Sequence, residues 1–266
     1  MKNNTAALRR SSNKIKKDMI LRKTSALIQN KTFELNSTQR KIINACIYVA
    51  QQQKIEPDSP YFKTDIKTIK SLVGSKKHDK SNFAKLIQNL STTRISFNYL
   101  EKDTDIVHWR SMAIFSDVDI SEDGSVVFEF PNKIRESVLA PELYTPLNLT
   151  LIKKFKSSYA IILYEFLRDY LYVPKNAPEN YIPVIPKLTI EQMRDLLGIK
   201  SDEYPYISDF KKRVLNPAIK EINIKASIDI NCYYKLEKTE GEGNQYKYIQ
   251  LYAKSQTKEL LPDFSI

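Results

Sequence analysis

An order of helices and strands that occurs twice limits the folds open to this chain of 266 residues. In each half, hydrophobic periodicity predicts a long helix, a connection broken by prolines, a short helix ending at a glycine, a further helix and a pair of strands. The two short helices match at a constant offset of 124 residues. The matched positions are Ile66, Ile69, Leu72, Val73 and Gly74, and Ile190, Met193, Leu196, Leu197 and Gly198.

The predicted elements are placed as follows. In the first half, helices are expected at about 35–53, 64–73 and 79–93, and strands at 95–100, 106–120 and 126–130, with a hairpin turn at Asp123-Gly124. In the second half, helices are expected at about 157–171, 189–197 and 207–224, and strands at 227–235 and 246–253, with a turn that contains Gly241 and Gly243.

Two helices joined by a short turn and followed by a hairpin form the winged helix-turn-helix arrangement. The sequence therefore predicts an α+β fold with two tandem winged helix-turn-helix domains related by a pseudo-repeat. We divide the chain into a flexible basic arm (1–17), an N-terminal winged-helix domain (18–140) and a C-terminal winged-helix domain (141–266). A generic pair of α+β domains is the alternative.

Composition excludes several classes of protein. The 5 glycines are too few for the clustered phosphate loops of Walker-type or dinucleotide-binding proteins. The longest apolar stretch, 160–167, is already interrupted by Glu165, and none approaches the roughly 20 residues of a membrane span. The basic beginning lacks the apolar segment of a secretory signal. Cys46 and Cys232 are expected to be reduced, packed thiols of a cytosolic protein.

The net charge of +11 is concentrated at the beginning of the chain. Residues 1–30 hold eight Lys and Arg residues and one acidic residue, Asp18, which gives them a net charge of +7. The first 17 residues have almost no bulky apolar side chain to bury, so we expect a flexible arm. Such an arm either attracts phosphates without sequence preference or only increases solubility.

The helix at 207–224 divides into two faces when its residues are placed at 100° steps. The apolar face contains Phe210, Val214, Leu215, Ala218, Ile219 and Ile222. The opposite face contains Asp209, Lys212, Arg213, Asn216, Lys220 and Asn223, with Lys211 at the boundary. Lys and Arg donate to phosphates or guanine, and Asn pairs with adenine, so this face is a candidate for reading the major groove. Pro217 predicts a bend or local break. An ordinary charged surface helix is the alternative.

The helix at 79–93 is a weaker version of the same pattern. Candidate DNA-contacting residues on its outer face and in the segment before it are Lys76, Lys77, Lys80, Asn82, Lys85 and Asn89. Arg94 and Arg110 could contact phosphates from the predicted wing. The lysines from 76 to 80 could equally form a solvated loop.

Three stretches of the sequence resemble the iteron-binding replication initiators of theta-replicating bacterial plasmids. They are LIQN (27–30) with FELNSTQRKII (33–43), KSSYAIILYEFL (156–167), and MRDLLG (193–198) followed by DFKKRVLNPAIKEIN (209–223). The third stretch is the most specific, and together they bracket about residues 20–254.

The resemblance implies a protein that binds origin repeats called iterons, promotes origin opening, recruits host replication proteins and represses its own gene. In that family the C-terminal domain makes the main major-groove contacts, and Lys211, Lys212 and Arg213 occupy the base-contacting stretch. The N-terminal domain adds DNA contacts and commonly contributes to dimerisation. The implied partners are double-stranded plasmid origin DNA, the host replicative helicase and initiation proteins, and a second copy of the chain in a monomer–dimer equilibrium. We expect no membrane partner, and a location in the bacterial cytoplasm with the nucleoid or plasmid.

Two other functions stay open at this point. One is a winged-helix transcription regulator without initiator activity. The other is a nickase that cuts DNA through one of the 16 tyrosines. The only histidines, His78 and His108, are too far apart in sequence to resemble the paired metal ligands of rolling-circle nickases. Tyr234, Tyr246, Tyr248 and Tyr252 alternate along strands as packing residues do, although some could contact DNA. We therefore expect no enzymatic activity, no cofactor and no metal site.

Overall fold

The structure is a computed structural model, and it describes nine ranges of the chain: 19–29, 35–53, 59–76, 79–100, 107–139, 144–172, 183–200, 202–238 and 245–256. For 96–100 and 107–110 the description covers the backbone only. The basic arm 1–17, Lys77, His78, Gly241 and Gly243 lie outside the described residues, as do the side chains of His108 and Arg110.

The helices are α1 (Ser25–Ile28), α2 (Ser37–Gln52), α3 (Ile66–Val73), α4 (Lys80–Thr92), α5 (Asn132–Leu139), α6 (Leu149–Ile152), α7 (Ser158–Leu171), α8 (Ile190–Leu197) and α9, which joins the segments Ile207–Phe210, Lys211–Leu215 and Asn216–Lys225. The strands are β1 (Ile20–Lys23), β2 (Tyr61–Asp65), β3 (Arg94–Leu100), β4 (Val107–Ala113), β5 (Asp117–Ile120), β6 (Ser125–Glu129), β7 (Thr145–Asn148), β8 (Lys187–Thr189), β9 (Ile230–Lys238) and β10 (Tyr246–Ser255). Four antiparallel sheets have the strand orders β1-β7, β2-β6-β5, β3-β4 and β8-β10-β9.

The first half has the predicted order of three helices and a hairpin. Helix α2 begins at a capping box, in which the Gln39 backbone N–H donates to Asn36 Oδ1 at 3.0 Å. Helix α3 ends at Gly74 in the left-handed conformation, and Asp79 caps α4. The hairpin β3–β4 follows directly after α4. The α2, α3 and α4 predictions are confirmed, although α3 begins at Ile66 because Tyr61–Asp65 is a strand paired with β6.

The single strand predicted over 106–120 is wrong. The structure divides it into β4, which pairs with β3, and β5, which pairs with β6 in another sheet. Between them, Ile114 and Phe115 are fully buried in the core. The chain passes from one sheet to the other at these two residues, so no single strand spans 106–120.

The second half repeats the arrangement. Helix α8 ends at Gly198 in the same left-handed conformation as Gly74, and α9 leads through a turn into the hairpin β9–β10. The strand predicted over 227–235 begins later, at Ile230, because 227–229 form that turn. Strand β8, which pairs with β10, was not predicted. No helix in the described part of the chain is long and apolar enough to cross a membrane.

Helix α7 packs against both halves. Its N-terminus is fixed by α9, because the backbone N–H groups of Lys156 and Ser157 donate to the Glu221 carboxylate at 2.6 and 3.0 Å. Further along, the Tyr164 hydroxyl donates to Asp229 Oδ2 at 2.6 Å. Strand β1 also pairs with β7 across residue 140. The domain division at 140/141 therefore stays a prediction.

We expect Gly74→Ala to destabilise the protein through the backbone alone. Gly74 has φ +72°, and an added Cβ would meet Lys153 atoms no closer than 3.5 Å, an ordinary contact. The left-handed conformation costs a residue with a Cβ about 1–2 kcal/mol, so the thermal midpoint should fall by about 2–8 °C. Ser71→Ala, at an exposed position of α3, is the control. Equal midpoints for the two variants would contradict the assignment.

Candidate nucleic-acid interface

Helix α9 presents its basic face to solvent. Lys212, Arg213, Asn216 and Lys220 are exposed, and Lys211 is partly buried. The opposite face is in the core, where Phe210, Val214, Leu215, Ala218, Ile219 and Ile222 are buried. The predicted division of this helix into an apolar and a basic face is thus confirmed for these residues.

The helix continues past Pro217 because the turn before it widens. Residues Lys211–Leu215 are π-helical, and the Asn216 N–H donates to the carbonyl of Lys211, five residues earlier. Proline has no N–H, and its ring collides with the carbonyl four residues before it in a regular helix. A wide turn immediately N-terminal to the proline relieves that collision. The expected local break is therefore a π segment, and it contains Lys211, Lys212 and Arg213.

Asn223 differs from the expectation. Its amide donates to the carbonyl of Cys232 at 2.8 Å, and its Oδ1 accepts from the Cys232 N–H at 2.9 Å. Both ends of this side chain therefore join α9 to β9, and reading a base would require breaking these bonds. Asn216 has one such bond, in which the Tyr234 hydroxyl donates to its Oδ1 at 2.6 Å. Because Asn216 is exposed, its amide group can still reach DNA.

Arg213 has an acidic neighbour on its own helix. Its Nε lies 3.8 Å from Asp209 Oδ1, four residues earlier, and both side chains are exposed. An exposed pair of this kind contributes about 1 kcal/mol or less. The guanidinium can therefore exchange this partner for a phosphate or a guanine edge at little cost.

The candidate residues of the first half are also on the surface, but several of them form hydrogen bonds to other residues of the protein. Lys76, Lys80, Asn82, Lys85, Asn89 and Arg94 are all exposed. The Lys80 ammonium donates to the carbonyl of Glu122. The Asn82 amide donates to Asp79 at 2.8 Å. Arg94 donates from Nε and Nη2 to Ser111 across the β3–β4 hairpin, at 3.0 and 2.7 Å. Lys85 and Asn89 are the candidates on α4 itself that project from its middle.

Two family models match the chain in tandem. "Initiator Replication protein, WH1" matches residues 20–168, and "Initiator Rep protein, WH2" matches residues 189–251. The chain belongs to the initiator Rep protein family. The two winged-helix matches confirm both the fold class and the resemblance described above.

One solved structure agrees with the fold of this Rep protein, and a second is less similar. The structure of "Pi initiator protein in complex with iteron DNA" superimposes with a TM-score of 0.65 at 16% identity, covering 92% of this chain and 100% of that one. "Domain2 and domain 3 of RctB" superimposes with a TM-score of 0.47 at 10% identity, covering 81% and 82%. A comparison with curated protein sequences found no match.

A buried polar cluster between the two halves of the Rep protein was missed by sequence reasoning. The Lys23 ammonium on β1 donates to Glu165 Oε2 on α7 at 2.7 Å and to Asn44 Oδ1 on α2 at 3.1 Å. The Asn44 amide donates to Glu165 Oε1 at 2.6 Å. Nearby, burial lowers the pKa of Arg40 to about 10, although Glu165 opposes that shift. The one sequence signal was a carboxylate inside the apolar stretch 160–167.

The two cysteines of the Rep protein are packed in its interior. Cys46 and Cys232 are free and buried, as predicted, and burial raises the pKa of the Cys232 thiol to about 12. Within the described ranges, no group of three or more His, Cys, Asp and Glu side chains could hold a metal ion. His78 and the side chain of His108 are outside that description.

Proposed function

We propose that this Rep protein initiates plasmid replication by binding repeated sites in double-stranded origin DNA, with α9 in the major groove and the β9–β10 hairpin beside it. The exposed basic face of α9 is the observation that carries the proposal. A similar fold in the Pi initiator, solved with iteron DNA, supports it. Because α9 is fixed to α7 through Glu221 and to β9 through Asn223, its face is held rigidly.

The chemistry of the α9 face suits a duplex. B-DNA admits a helix in the major groove, where Arg and Lys donate to guanine and Asn pairs with adenine. Arg213 is the proposed guanine reader, Asn216 offers an amide, and Lys212 and Lys220 supply charge for phosphates. Lys211, at the edge of the face, is a further proposed contact. Asn223 is set aside because its amide already joins α9 to β9.

The first half is proposed to add a second set of contacts. Lys85 and Asn89 of α4 would face the duplex, with Lys76, Lys80, Asn82 and Arg94 at the edges of that surface. Lys77 belongs to the same proposal by sequence. Contacts from both halves release counterions, and that energy can offset a bend of the origin that costs about 1–6 kcal/mol.

After binding, the Rep protein would help to open the origin and recruit the host replicative helicase and initiation proteins. Repression of its own gene and a monomer–dimer equilibrium complete the proposal. Binding itself needs no ATP and no cofactor.

A plasmid that carries this gene with its flanking DNA should replicate in a suitable host. In a separate test, the protein should leave supercoiled origin DNA uncut in Mg²⁺. Nicking of that DNA would favour the tyrosine-dependent alternative instead.

We expect Arg213→Ala to weaken binding to an origin repeat by about 1–3 kcal/mol and to relax preference at one base pair, because a bidentate guanine contact is lost. Lys133→Ala is the matched control, since Lys133 is an exposed lysine of α5 whose neighbour is Glu136 at 3.3 Å. A footprinting titration measures both affinity and preference. Unchanged values for Arg213→Ala would reject the assignment.

A further inference from the structure

The sheet β8-β10-β9 has one face on the core and a second face whose side chains are exposed or partly exposed. Ile230, Cys232, Ile249 and Leu251 are buried on the inner face. Because side chains alternate along a strand, Tyr233 and Lys235 of β9 and Tyr248, Tyr252 and Lys254 of β10 project from the outer face. A bulge between Tyr246 and Tyr248 interrupts this alternation at the beginning of β10. Sequence reasoning assigned these β10 tyrosines to packing.

Three tyrosines of the outer face form what we call the tyrosine platform: Tyr233, Tyr248 and Tyr252. Tyr233 and Tyr252 lie directly opposite each other in the strand register, and their rings are parallel, with centroids 4.7 Å apart and an interplanar angle of 8°. Tyr233 is 52% exposed, and Tyr248 and Tyr252 are partly exposed. Large aromatic side chains exposed together on one face often mark a binding surface.

Lysines surround the platform. The Lys235 ammonium lies 5.6 Å from the centre of the Tyr252 ring, and the Lys187 ammonium lies 5.7 Å from the centre of the Tyr248 ring. The one acidic residue among the described residues of this face is Glu237, which forms an ion pair with Lys187. The platform is therefore aromatic and carries net positive charge.

An open groove of about 660 Å³ continues from the platform along the strand ends. Its lining includes Tyr233, Tyr252, Asn231 and Lys254, and the segment before β8, in which Val184 is 73% exposed. The groove is thus lined by two tyrosine rings, an amide and a lysine, which lie side by side on the sheet.

We infer that the tyrosine platform binds single-stranded nucleic acid, with bases stacked on exposed tyrosine rings and phosphates near the lysines. Stacking of this kind requires bases whose faces are free, and a duplex does not offer them. A protein partner fits less well, since protein–protein interfaces are depleted in lysine, whereas lysine surrounds this platform.

The platform lies on the other side of the sheet from α9. Tyr234, which projects inward, donates to Asn216 of α9, while Tyr233, its neighbour in sequence, stacks on the outer face. One winged-helix unit could then hold a duplex through α9 and a separate strand through the sheet. Platform binding needs no duplex, so it can be tested whether or not the proposed origin binding is correct.

The test uses the full chain and measures the fluorescence anisotropy of labelled (dT)20 and (rU)20. We expect Tyr233→Ala and Tyr252→Ala each to weaken binding by about 5- to 150-fold, because stacking of one base is lost. Neither variant changes charge, so phosphate attraction to the basic arm stays the same. Tyr61→Ala, an exposed strand tyrosine in the first half, is the matched control and should bind normally.

Two further measurements separate a binding role from a folding role. Tyr233→Phe retains the ring and should restore the affinity for both oligonucleotides. Arg213→Ala, which alters α9, should weaken duplex binding and leave the affinity for both oligonucleotides unchanged. Unchanged (dT)20 and (rU)20 affinity in the double variant Tyr233→Ala/Tyr252→Ala would overturn the inference. Loss of self-association by that variant in sedimentation, with oligonucleotide binding intact, would show that the platform is a protein interface instead.

Discussion

A rise in salt from 50 to 200 mM is expected to weaken binding of the full chain to a duplex origin repeat by about 10³- to 10⁵-fold. The proposed contacts from α9 and α4 amount to roughly 6–10 phosphates, and each neutralised phosphate releases counterions whose return opposes binding. Equilibrium titrations at several salt concentrations give the slope of log affinity against log salt. A flat profile would contradict duplex binding through these basic surfaces.

The same titration distinguishes phosphate contacts made by the folded domains from those made by the basic arm. Residues 1–17 carry six Lys and Arg residues and no acidic residue. A chain that begins at residue 18 should show a smaller slope if the arm contacts phosphates, yet it should keep its preference for the repeat, because base contacts come from α9. An unchanged slope would leave the arm as a solubilising segment. Lys133→Ala should leave the slope as it is.

The faces of α9 were predictable because a helix that packs on a core must bury one side of its sequence period. The assignment of Asn223 rested on an even 100° step through the whole helix. The π segment Lys211–Leu215 has more residues per turn, so every later residue lags behind that step. The lag turns Asn223 toward β9 and leaves Ile224 exposed. Pro217 predicted a disturbance, but its form depended on packing.

Contacts between distant parts of the chain could not be predicted in the same way. Alternation along β9 and β10 divides their side chains between two faces, but it does not say which face another element covers. Tyr234 packs toward α9, while Tyr233 and Tyr252 stack on the outer face. The pairing of β1 with β7 likewise joins residues more than a hundred positions apart, and four-residue strands carry almost no periodic signal.

The cluster of Lys23, Asn44 and Glu165 leads to the second large prediction. We expect Glu165→Gln to lower the free energy of unfolding by about 3–5 kcal/mol, because it leaves the Lys23 ammonium buried without its counter-charge. The two side chains are only 9% and 7% exposed, so water cannot replace the lost partner without rearrangement. Urea denaturation followed by circular dichroism measures the loss. Glu136→Gln, which removes an exposed partner of Lys133, is the control and should change stability little.

The double variant Lys23→Met/Glu165→Leu distinguishes the cost of an unpaired charge from a general need for this pair. Replacing both members of a buried pair with apolar side chains of similar volume is often neutral or stabilising. We therefore expect the double variant to be more stable than Glu165→Gln. Asn44 forms hydrogen bonds to both Lys23 and Glu165. A double variant as unstable as Glu165→Gln would show that the buried Asn44 amide needs these two polar partners. Because α7 also carries Tyr164 and Arg168, which bind Asp229 beside β9, loosening Glu165 should disturb the position of α9 and so weaken repeat binding as well.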